Sequence, residues 1–415
     1  MKRLVYFLFS FFILPFGIHA QEYSLLIKGG HLIDPKNNIS KPMDIGIFEG
    51  KVKKVAENID PSSARQVVDA KGMYVTPGLI DIHGHVFAGT KPNHYLSDGF
   101  VAVFPDGFTF RVGVTTIVDC GGAGWMNFHT FKENIIYNSK TRVLSFLNIV
   151  GNGMRGGKWE QDTSDMDPGL AAAVALKNRN DIVGFKVAHF QGRDWTVVEN
   201  AVKAGEIAKM PVIVDFGGAQ PPLPLEELFL RKLRPGDIFT HTYTLLPNDV
   251  RETIVDEEKG KVKPFVWEAR KRGIVFDVGY GGASFNYTQA LPAMKEGFYP
   301  TTISTDLHTG SMNGSMKDML SVMSKFLQMG MPLEEVIKAS TWTPAKVIQR
   351  ESLGHLSEGA IADIAVFSMR KGNFGFYDKT GYKVQAREKL ECELTVKGGN
   401  IVYDLNGIAD PIYWR

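Results

Sequence analysis

One stretch of the sequence determines the fold assignment: Val75-Thr76-Pro77-Gly78-Leu79-Ile80-Asp81-Ile82-His83-Gly84-His85-Val86. Its Pro-Gly pair is typical of a turn, and the apolar run that follows predicts a buried strand. Residues two apart in a strand project to the same face, so His83 and His85 point the same way at the end of this strand. Two imidazoles on one face can bind one metal ion, although a pair of buried structural histidines is the alternative.

Length and charge limit the classes of protein to consider. The chain has 415 residues, a formal net charge of +2 and 44% hydrophobic residues. This length predicts one large domain, alone or with a small one. The near-neutral balance gives no reason to expect a nucleic acid or an acidic membrane as partner, so we expect a small-molecule substrate. A homo-oligomer is compatible with the sequence.

The N-terminus has the layout of a signal peptide. Lys2 and Arg3 precede an apolar run over residues 4–17, and Ala20 precedes Gln21. A basic start, a short apolar core and a small residue at the cut predict cleavage after Ala20 and a secreted or periplasmic protein. The run is too short to span a bilayer comfortably, so no membrane association is expected after cleavage. An uncleaved anchor is the alternative.

The two cysteines, Cys120 and Cys392, are too few for a disulfide scaffold. We expect both to be free and packed. A nucleophilic role for Cys120 is the alternative, but no neighbouring residue in the sequence resembles its base.

Both ends of the mature chain have a β pattern. Short apolar or alternating runs separated by turns fill residues 23–73, with Glu49-Gly50 as a hairpin turn. Similar runs recur at 361–367 and 394–403. We therefore predict a small β-sandwich built from residues 21–73 and 355–415.

The middle of the chain alternates apolar strands with helix-like stretches. The predicted strands are residues 79–85, 115–120, 143–150, 182–187, 212–216, 238–241, 274–278 and 302–306. Helical patterns include residues 195–208 and 315–329, and a helix over 333–349 is expected outside the strands. Eight strand–helix units predict an α/β fold, a (β/α)8 TIM-like barrel over residues 74–354.

Barrels of this kind carry their chemistry at the C-terminal ends of the strands. The predicted strands end in residues of types that can bind metal ions, directly or after modification. They are His83, His85, Lys186, Asp215, His241 and Asp306. Lys186 lies within an apolar strand, where a charged amine is costly unless it is paired or modified. The sequence therefore predicts a polar cluster at one rim of the barrel.

This arrangement resembles the amidohydrolase superfamily, and the likeness covers nearly the whole mature chain. Several stretches are similar to its deacetylase-like branch, which is related to D-aminoacylases and dihydroorotases. These stretches are Val75-Thr76-Pro77-Gly78-Leu79-Ile80-Asp81, Gly113-Val114-Thr115-Thr116-Ile117-Val118-Asp119, Phe276-Asp277-Val278-Gly279 and Met323-Ser324-Lys325-Phe326-Leu327.

The resemblance implies a centre of one or two divalent ions, zinc by expectation, bound by the six strand-end residues. It implies that Lys186 is carboxylated, since an ammonium cannot bind a cation whereas a carbamate offers two anionic oxygens. It also implies that metal-activated hydroxide attacks a substrate carbonyl, with Asp306 as general base and then general acid.

Two positions depart from the family pattern. Asp215 stands where strand five normally has histidine, which leaves one or two ions open and could favour a harder ion such as manganese. Tyr280 replaces a histidine after strand seven and is a candidate hydrogen-bond donor to the substrate. Arg155 and Arg193, in loops after strands three and four, are candidates for binding a substrate carboxylate, or else are solvated.

One further motif, Gly151-Asn152-Gly153-Met154-Arg155-Gly156, matches a dinucleotide-binding pattern. The residues after it make a poor helix start and the next strand lacks the required acid, so we interpret it as a flexible loop at the barrel mouth.

Together these features predict an exported, metal-dependent amidohydrolase that cleaves an amide bond, N-acyl or cyclic, of a small molecule. An ester hydrolase on the same centre is an alternative, as is a metal-poor barrel that binds a ligand without turnover.

Overall fold

The structure is a computed structural model that describes residues 21–88, 101–215, 217–247 and 251–410. The predicted signal peptide, residues 1–20, and Phe216 at the end of the predicted fifth strand lie outside these ranges. None of the helices in the described ranges is long and apolar enough to cross a membrane.

Five strands lie in the N-terminal segment that the structure describes, residues 21–77. They are β1 (Leu25–Asp34), β2 (Ile39–Phe48), β3 (Lys51–Ala56), β4 (Val67–Asp69) and β5 (Tyr74–Pro77). The predicted turn at Glu49-Gly50 joins β2 to β3, and both residues have positive φ, 49° and 75°. Two successive positive φ values give the hairpin turn whose twist matches that of the flanking strands.

The central part of the chain contributes the next nine strands. They are β6 (Leu79–Gly84), β7 (Val114–Gly124), β8 (Arg142–Asn148), β9 (Ile182–Val187), β10 (Val212–Val214), β11 (Ile238–Phe239), β12 (Val255–Asp256), β13 (Lys261–Val262) and β14 (Val275–Phe276). All except β12 and β13, which pair with each other, form one sheet of seven parallel strands in the order β6-β7-β8-β9-β10-β11-β14. Sequential parallel order is expected of repeated strand–helix units.

The eighth predicted strand, residues 302–306, is not a regular strand in the structure. Single bridges join Thr302 to Asp277 and Leu307 to Gly84, so this segment lies between β14 and β6 and connects the two edges of the sheet. The backbone N–H of Asp306 donates to the carbonyl of His83 at 2.6 Å. A regular ladder cannot run through Asp306 because its φ is +52°, outside the extended region.

The sixth strand is also shorter than predicted. It ends at Phe239 rather than residue 241, because His241 has a φ of +56°. The chain thus leaves the extended conformation where it places a candidate ligand. Such left-handed residues are uncommon outside glycine and cluster at functional sites.

Ten α-helices, several of a single turn, accompany the strands in the described part of the chain. They are α1 (Phe128–Phe131), α2 (Pro168–Lys177), α3 (Thr196–Ala208), α4 (Leu225–Glu227), α5 (Pro264–Lys271), α6 (Tyr287–Lys295), α7 (Thr309–Met312), α8 (Met319–Gln328), α9 (Leu333–Ser340) and α10 (Trp342–Val347). Helix α8 begins four residues later than predicted, because Asp318 caps it by accepting a hydrogen bond from the backbone N–H of Ser321 at 2.7 Å.

The single helix predicted over residues 333–349 is two helices, α9 and α10. They are separated at Thr341, whose backbone angles, φ −134° and ψ −85°, are not helical. Pro344 has no N–H to donate to the turn before it, which favours a break at this point. Only α9 packs in the outer layer as predicted: Ala345 and Ile348, in and just after α10, join the apolar cluster of the barrel interior.

The barrel interior is filled by apolar side chains below the polar rim. These residues include Ile80, Ile82, Val118, Cys120, Leu144, Phe146, Ile213 and Ile238. Cys120 and Cys392 are both buried and free, as predicted. Burial raises the pKa of the Cys120 thiol far above its ordinary value, so the thiol stays protonated and is unsuited to nucleophilic attack.

Four strands close the chain: β15 (Ile364–Tyr377), β16 (Lys383–Lys397), β17 (Asn400–Asp404) and β18 (Ala409–Asp410). They join the N-terminal strands in one nine-stranded sheet of path β17-β16-β15-β5-β1-β2-β3, with β4 and β18 branching from β1. Leu25, Val68, Ile364 and Val396, from both termini, share one apolar core. The predicted architecture, a barrel with a β domain formed by both chain ends, is confirmed. The strands of that domain, predicted as a small β-sandwich, form one continuous sheet.

Candidate metal centre

The C-terminal ends of the parallel strands bring His83, His85 and Asp306 together. The carboxylate Oδ1 of Asp306 lies 2.8 Å from Nε2 of His85 and 3.6 Å from Nε2 of His83. One ligand atom from each residue lies within 4.8 Å of the other two, a spacing that suits a single metal ion. All three residues are at most 8% exposed.

His83 is held by a buried chain of hydrogen bonds. The hydroxyl of Thr240 donates to Asp277 at 2.8 Å, so Thr240 must accept the Nδ1–H of His83, which lies 2.9 Å away. The hydroxyls of Thr302 and Ser304 donate to the same carboxylate. Nε2 of His83 is therefore the unprotonated nitrogen. Burial lowers the pKa of His83 to about 4, so the ring is a neutral ligand at physiological pH.

His241 is oriented in the same way by the backbone. Its Nδ1 lies 2.5 Å from the carbonyl oxygen of Gly279, which can only accept, so Nδ1 carries the proton. Its Nε2 then faces Oδ2 of Asp215 at 3.2 Å with a lone pair. Two electron-pair donors in contact repel each other unless a proton or a metal ion lies between them.

Lys186 and Asp215 complete the set of donors. Lys186 is fully buried, and its Nζ lies 3.7 Å from Oδ2 of Asp215. This Nζ makes no hydrogen bond with any residue in the described ranges. Gly121 leaves room for the lysine, since a Cβ at this position would lie 2.6 Å from Cγ of Lys186.

Asp306 is an anion at neutral pH. Burial alone would favour its protonated form, but the imidazoles of His83 and His85 hold the pKa of this carboxyl well below its usual range. Its backbone φ of +52° turns the side chain toward the two histidines. Gly281 has no side chain to obstruct it, because a Cβ there would lie 2.4 Å from Oδ2 of Asp306.

The six predicted ligands thus converge, and four of them, His85, Asp215, His241 and Asp306, line a cavity of about 450 Å³. That volume is in the range of small-molecule sites. Met154, from the Gly151–Gly156 loop, lines the same cavity, which places this loop at the barrel mouth as predicted.

The three predicted substrate-binding residues lie elsewhere. Arg155 and Arg193 are exposed and do not line the cavity. Tyr280 is 1% exposed and stacks on Phe285, with ring centroids 4.4 Å apart. Its hydroxyl donates to the carbonyl of Tyr377 at 3.2 Å and accepts from Lys325 at 2.7 Å, so it is not directed at the cavity.

Sequence reasoning gave no role to three residues that line the cavity: His189, Arg251 and His308. Nδ1 of His308 accepts from the backbone N–H of Gly310 at 3.0 Å, so Nε2 carries the proton in the neutral ring. Arg251 is 5% exposed, and its Nη1 lies 3.6 Å from Oδ1 of Asp215. These residues follow the ends of their strands by two or more positions, where strand periodicity no longer indicates the direction of a side chain.

Comparison with known proteins identifies the family. A deacetylase of Agrobacterium fabrum is 32% identical over 361 residues, covering 85% of each chain. The chain belongs to the amidohydrolase superfamily. The sequence profile of the Amidohydrolase family also matches residues 269–402 of this amidohydrolase.

Solved structures agree with this assignment. A crystal structure of an adenine deaminase superimposes with a TM-score of 0.82 and 30% identity, covering 92% of this amidohydrolase and 100% of that chain. A dihydroorotase superimposes with a TM-score of 0.78 and 29% identity, covering 91% and 98%. The predicted superfamily and its deacetylase-like branch are confirmed.

The residues of this amidohydrolase fit a divalent-ion centre. The unprotonated nitrogens of His83 and His241 face carboxylates, and a fully buried lysine has no hydrogen-bond partner in the described ranges. A carbamate on Lys186 would convert that amine into an anionic ligand next to the same donors. His83, His85 and Asp306 could hold one ion, and Lys186, Asp215 and His241 could share a second.

Proposed function

We propose that this protein is an exported, metal-dependent hydrolase that cleaves the carbon–nitrogen bond of an N-acylated or cyclic amide in a small molecule. The observation that carries the proposal is the convergence of six ligand-type side chains, four of which line one cavity of about 450 Å³. The superfamily membership and the deacetylase and dihydroorotase relatives support a hydrolase of this type.

A divalent ion, zinc or manganese, supplies two effects when bound: it acidifies a water molecule and polarises a carbonyl group. His83, His85, Asp306, Lys186 as its carbamate, Asp215 and His241 would hold one or two such ions. Asp215 adds a formal negative charge relative to histidine, which lowers the Lewis acidity of an ion it binds and favours a hard metal such as manganese.

Asp306 would transfer the proton from the attacking water to the leaving group. Its carboxylate is ionised at neutral pH and lies among ligand atoms, with Oδ2 on the side of His308 at 3.9 Å. We assign it the role of accepting a proton from water and returning it to the leaving nitrogen. His308, with its Nε2–H at the cavity wall, is placed to donate a hydrogen bond to a substrate oxygen.

An amide is favoured over an ester for one chemical reason. An amine is a poor leaving group until it is protonated. A carboxylate that has just accepted a proton from water can donate that proton to the leaving amine. An alkoxide depends less on that proton, so loss of Asp306 should reduce amide hydrolysis more than ester hydrolysis.

The test is a hydrolysis panel on purified mature protein loaded with zinc or with manganese. It should contain N-acetyl amino acids, cyclic amides, O-acetyl esters of matched size, and adenine as a deamination control. We expect turnover of at least one amide class, abolished by a chelator and restored by the metal. Metal-loaded protein that turns over only esters or adenine would overturn the bond assignment, and no turnover at all would favour a ligand-binding barrel.

Export is tested separately. The sequence around Ala20 supports cleavage there, and mature protein recovered from outside the cytoplasm should begin at Gln21. A mature N-terminus at Met1 would contradict this part of the proposal.

A further inference from the structure

His189 lies at the rim of the candidate metal centre although it belongs to none of the predicted strand ends. It follows β9 by two residues, and its φ of +51° turns the chain away from the extended path. Nε2 of His189 lies 3.6 Å from Oδ2 of Asp215, and the ring lines the cavity. Left-handed backbone at a non-glycine residue is strained, and such strain clusters at functional sites.

A buried carboxylate orients this histidine. Nδ1 of His189 lies 3.0 Å from Oε2 of Glu160, which is only 1% exposed, while Oε1 of Glu160 accepts from the backbone N–H of Gly156 at 3.1 Å. A carboxylate can only accept, so Nδ1–H is donated to it and Nε2 remains directed at Asp215. Metal-bound histidines are typically held in this way, with the second ring nitrogen bonded to a carboxylate or carbonyl.

Three nitrogen atoms surround one carboxylate oxygen at this point. Nε2 of His241, Nε2 of His189 and Nζ of Lys186 lie 3.2, 3.6 and 3.7 Å from Oδ2 of Asp215. The guanidinium of Arg251 lies on the other side, 3.6 Å from Oδ1. The Oδ2 side is therefore where a cation can be bound by several donors at once.

The superfamily pattern places an imidazole on strand five, and this chain has Asp215 there instead. We propose that His189 supplies the missing imidazole from the neighbouring strand and ligates a second divalent ion, together with Asp215, His241 and the carbamate of Lys186. This inference rests on the proposed function only in requiring that the centre binds metal. Glu160 is then a positioning residue, since it acts through His189.

The test is ion binding by the full mature chain, followed without turnover. Protein stripped by a chelator is titrated with Co²⁺ in bicarbonate buffer, and the bound ions are counted by elemental analysis and by visible absorption. We expect two ions in the wild type. We expect about one in His189→Ala, or a second ion bound at least tenfold more weakly, with X-ray absorption showing one imidazole fewer.

Control variants separate ligation from a general effect. His129→Ala removes a histidine whose side chain is 84% exposed and should leave both ions in place. Glu160→Gln should weaken binding of the second ion, although the ligand His189 is retained. Asp215→His in the His189→Ala background should restore the second ion, because it returns an imidazole to strand five.

The outcomes distinguish the two proposals. If wild type and His189→Ala bind the same number of ions with equal affinity, His189 only forms an ion pair with Glu160 and Asp215, and the inference falls while the metal-dependent function stands. If the wild type binds no ion, the proposed function itself fails. Normal circular dichroism of each variant shows that a loss of ions is not a loss of folding.

Discussion

The carbonyl oxygen of Gly279 lies 2.5 Å from Nδ1 of His241, and this contact fixes which nitrogen of the ring faces the metal centre. Gly279 has a φ of +47°, and a Cβ at this position would lie 2.2 Å from Oγ1 of Thr240 and 2.8 Å from Nδ1 of His241. Gly279 thus lies against Thr240, which accepts the hydrogen bond of His83, and also accepts the hydrogen bond of His241 through its own carbonyl.

Gly279→Ala should therefore lower the divalent-ion affinity of the metal centre more than it lowers the stability of the fold. The added methyl group must displace Thr240 or His241, so we expect divalent-ion affinity to fall at least tenfold and hydrolysis to fall with it. Gly260→Ala is a matched control, with a φ of +59° and open space around the new Cβ. It should cost only about 1–2 kcal/mol of stability from the left-handed backbone. Equal ion affinity in both variants would contradict the assignment.

Asp306→Asn should reduce amide hydrolysis by about 10²–10⁴-fold, the range of general acid–base catalysis. The amide cannot accept the proton that the carboxylate accepts. Steady-state kinetics on metal-replete protein, with bound ions counted in parallel, separates this effect from a loss of ligand. Asp256→Asn, at the end of β12, should hydrolyse like the wild type. Parental rates in Asp306→Asn would refute the role.

Lys186→Met should destabilise the protein in both metal states, and more with metal than without it. In ion-free protein the variant leaves the buried carboxylate of Asp215 without the cation that lies 3.7 Å away, and we expect a loss of up to about 3–5 kcal/mol of stability. With metal and bicarbonate the wild type gains the binding energy, about 2.7 kcal/mol at a hundredfold excess over the dissociation constant. Chemical denaturation with and without chelator measures both. Lys371→Met, on the surface, should shift neither.

The buried Lys325, which donates a hydrogen bond to Tyr280, should make the free energy of unfolding depend on pH in a defined direction. Burial lowers its pKa to about 7, so the unfolded chain binds one proton more than the folded protein between about pH 7 and pH 10. The free energy of unfolding therefore rises with pH in that window and falls as pH drops toward 7.

Relative to Lys325→Met, the wild type should gain up to about 1.4 kcal/mol per pH unit between roughly pH 7.5 and 9.5. Urea denaturation at several pH values measures the two slopes. Parallel slopes would mean that the lysine stays charged in the folded protein.

Most of the candidate metal ligands could be predicted from the sequence because strand periodicity holds up to the ends of the strands. His83, His85, Lys186 and Asp215 lie in or directly after apolar strands, where side-chain direction follows from alternation. His241 and Asp306 have φ values of +56° and +52°, and their position at predicted strand ends and the family resemblance indicated them instead. The barrel and the paired chain ends followed from the spacing of those strands and from the β pattern at both termini.

The remaining site residues lie where the chain leaves the extended conformation. His189 has a φ of +51°, and Tyr280 follows Gly279 with its φ of +47°, so neither side chain continues the alternation of its strand. Periodicity therefore gave no role to His189. The family resemblance suggested a substrate contact for Tyr280, whose hydroxyl bonds to Tyr377 and Lys325 instead. Backbone torsion angles at strand ends were the missing information.

The most direct test is to count divalent ions in purified mature protein, wild type and His83→Ala/His85→Ala, after loading with zinc or manganese and removing free metal. We predict at least one ion per wild-type chain and fewer in the double variant, with both proteins folded. A folded wild-type protein that retains no ion, or a double variant that retains as many, would contradict it.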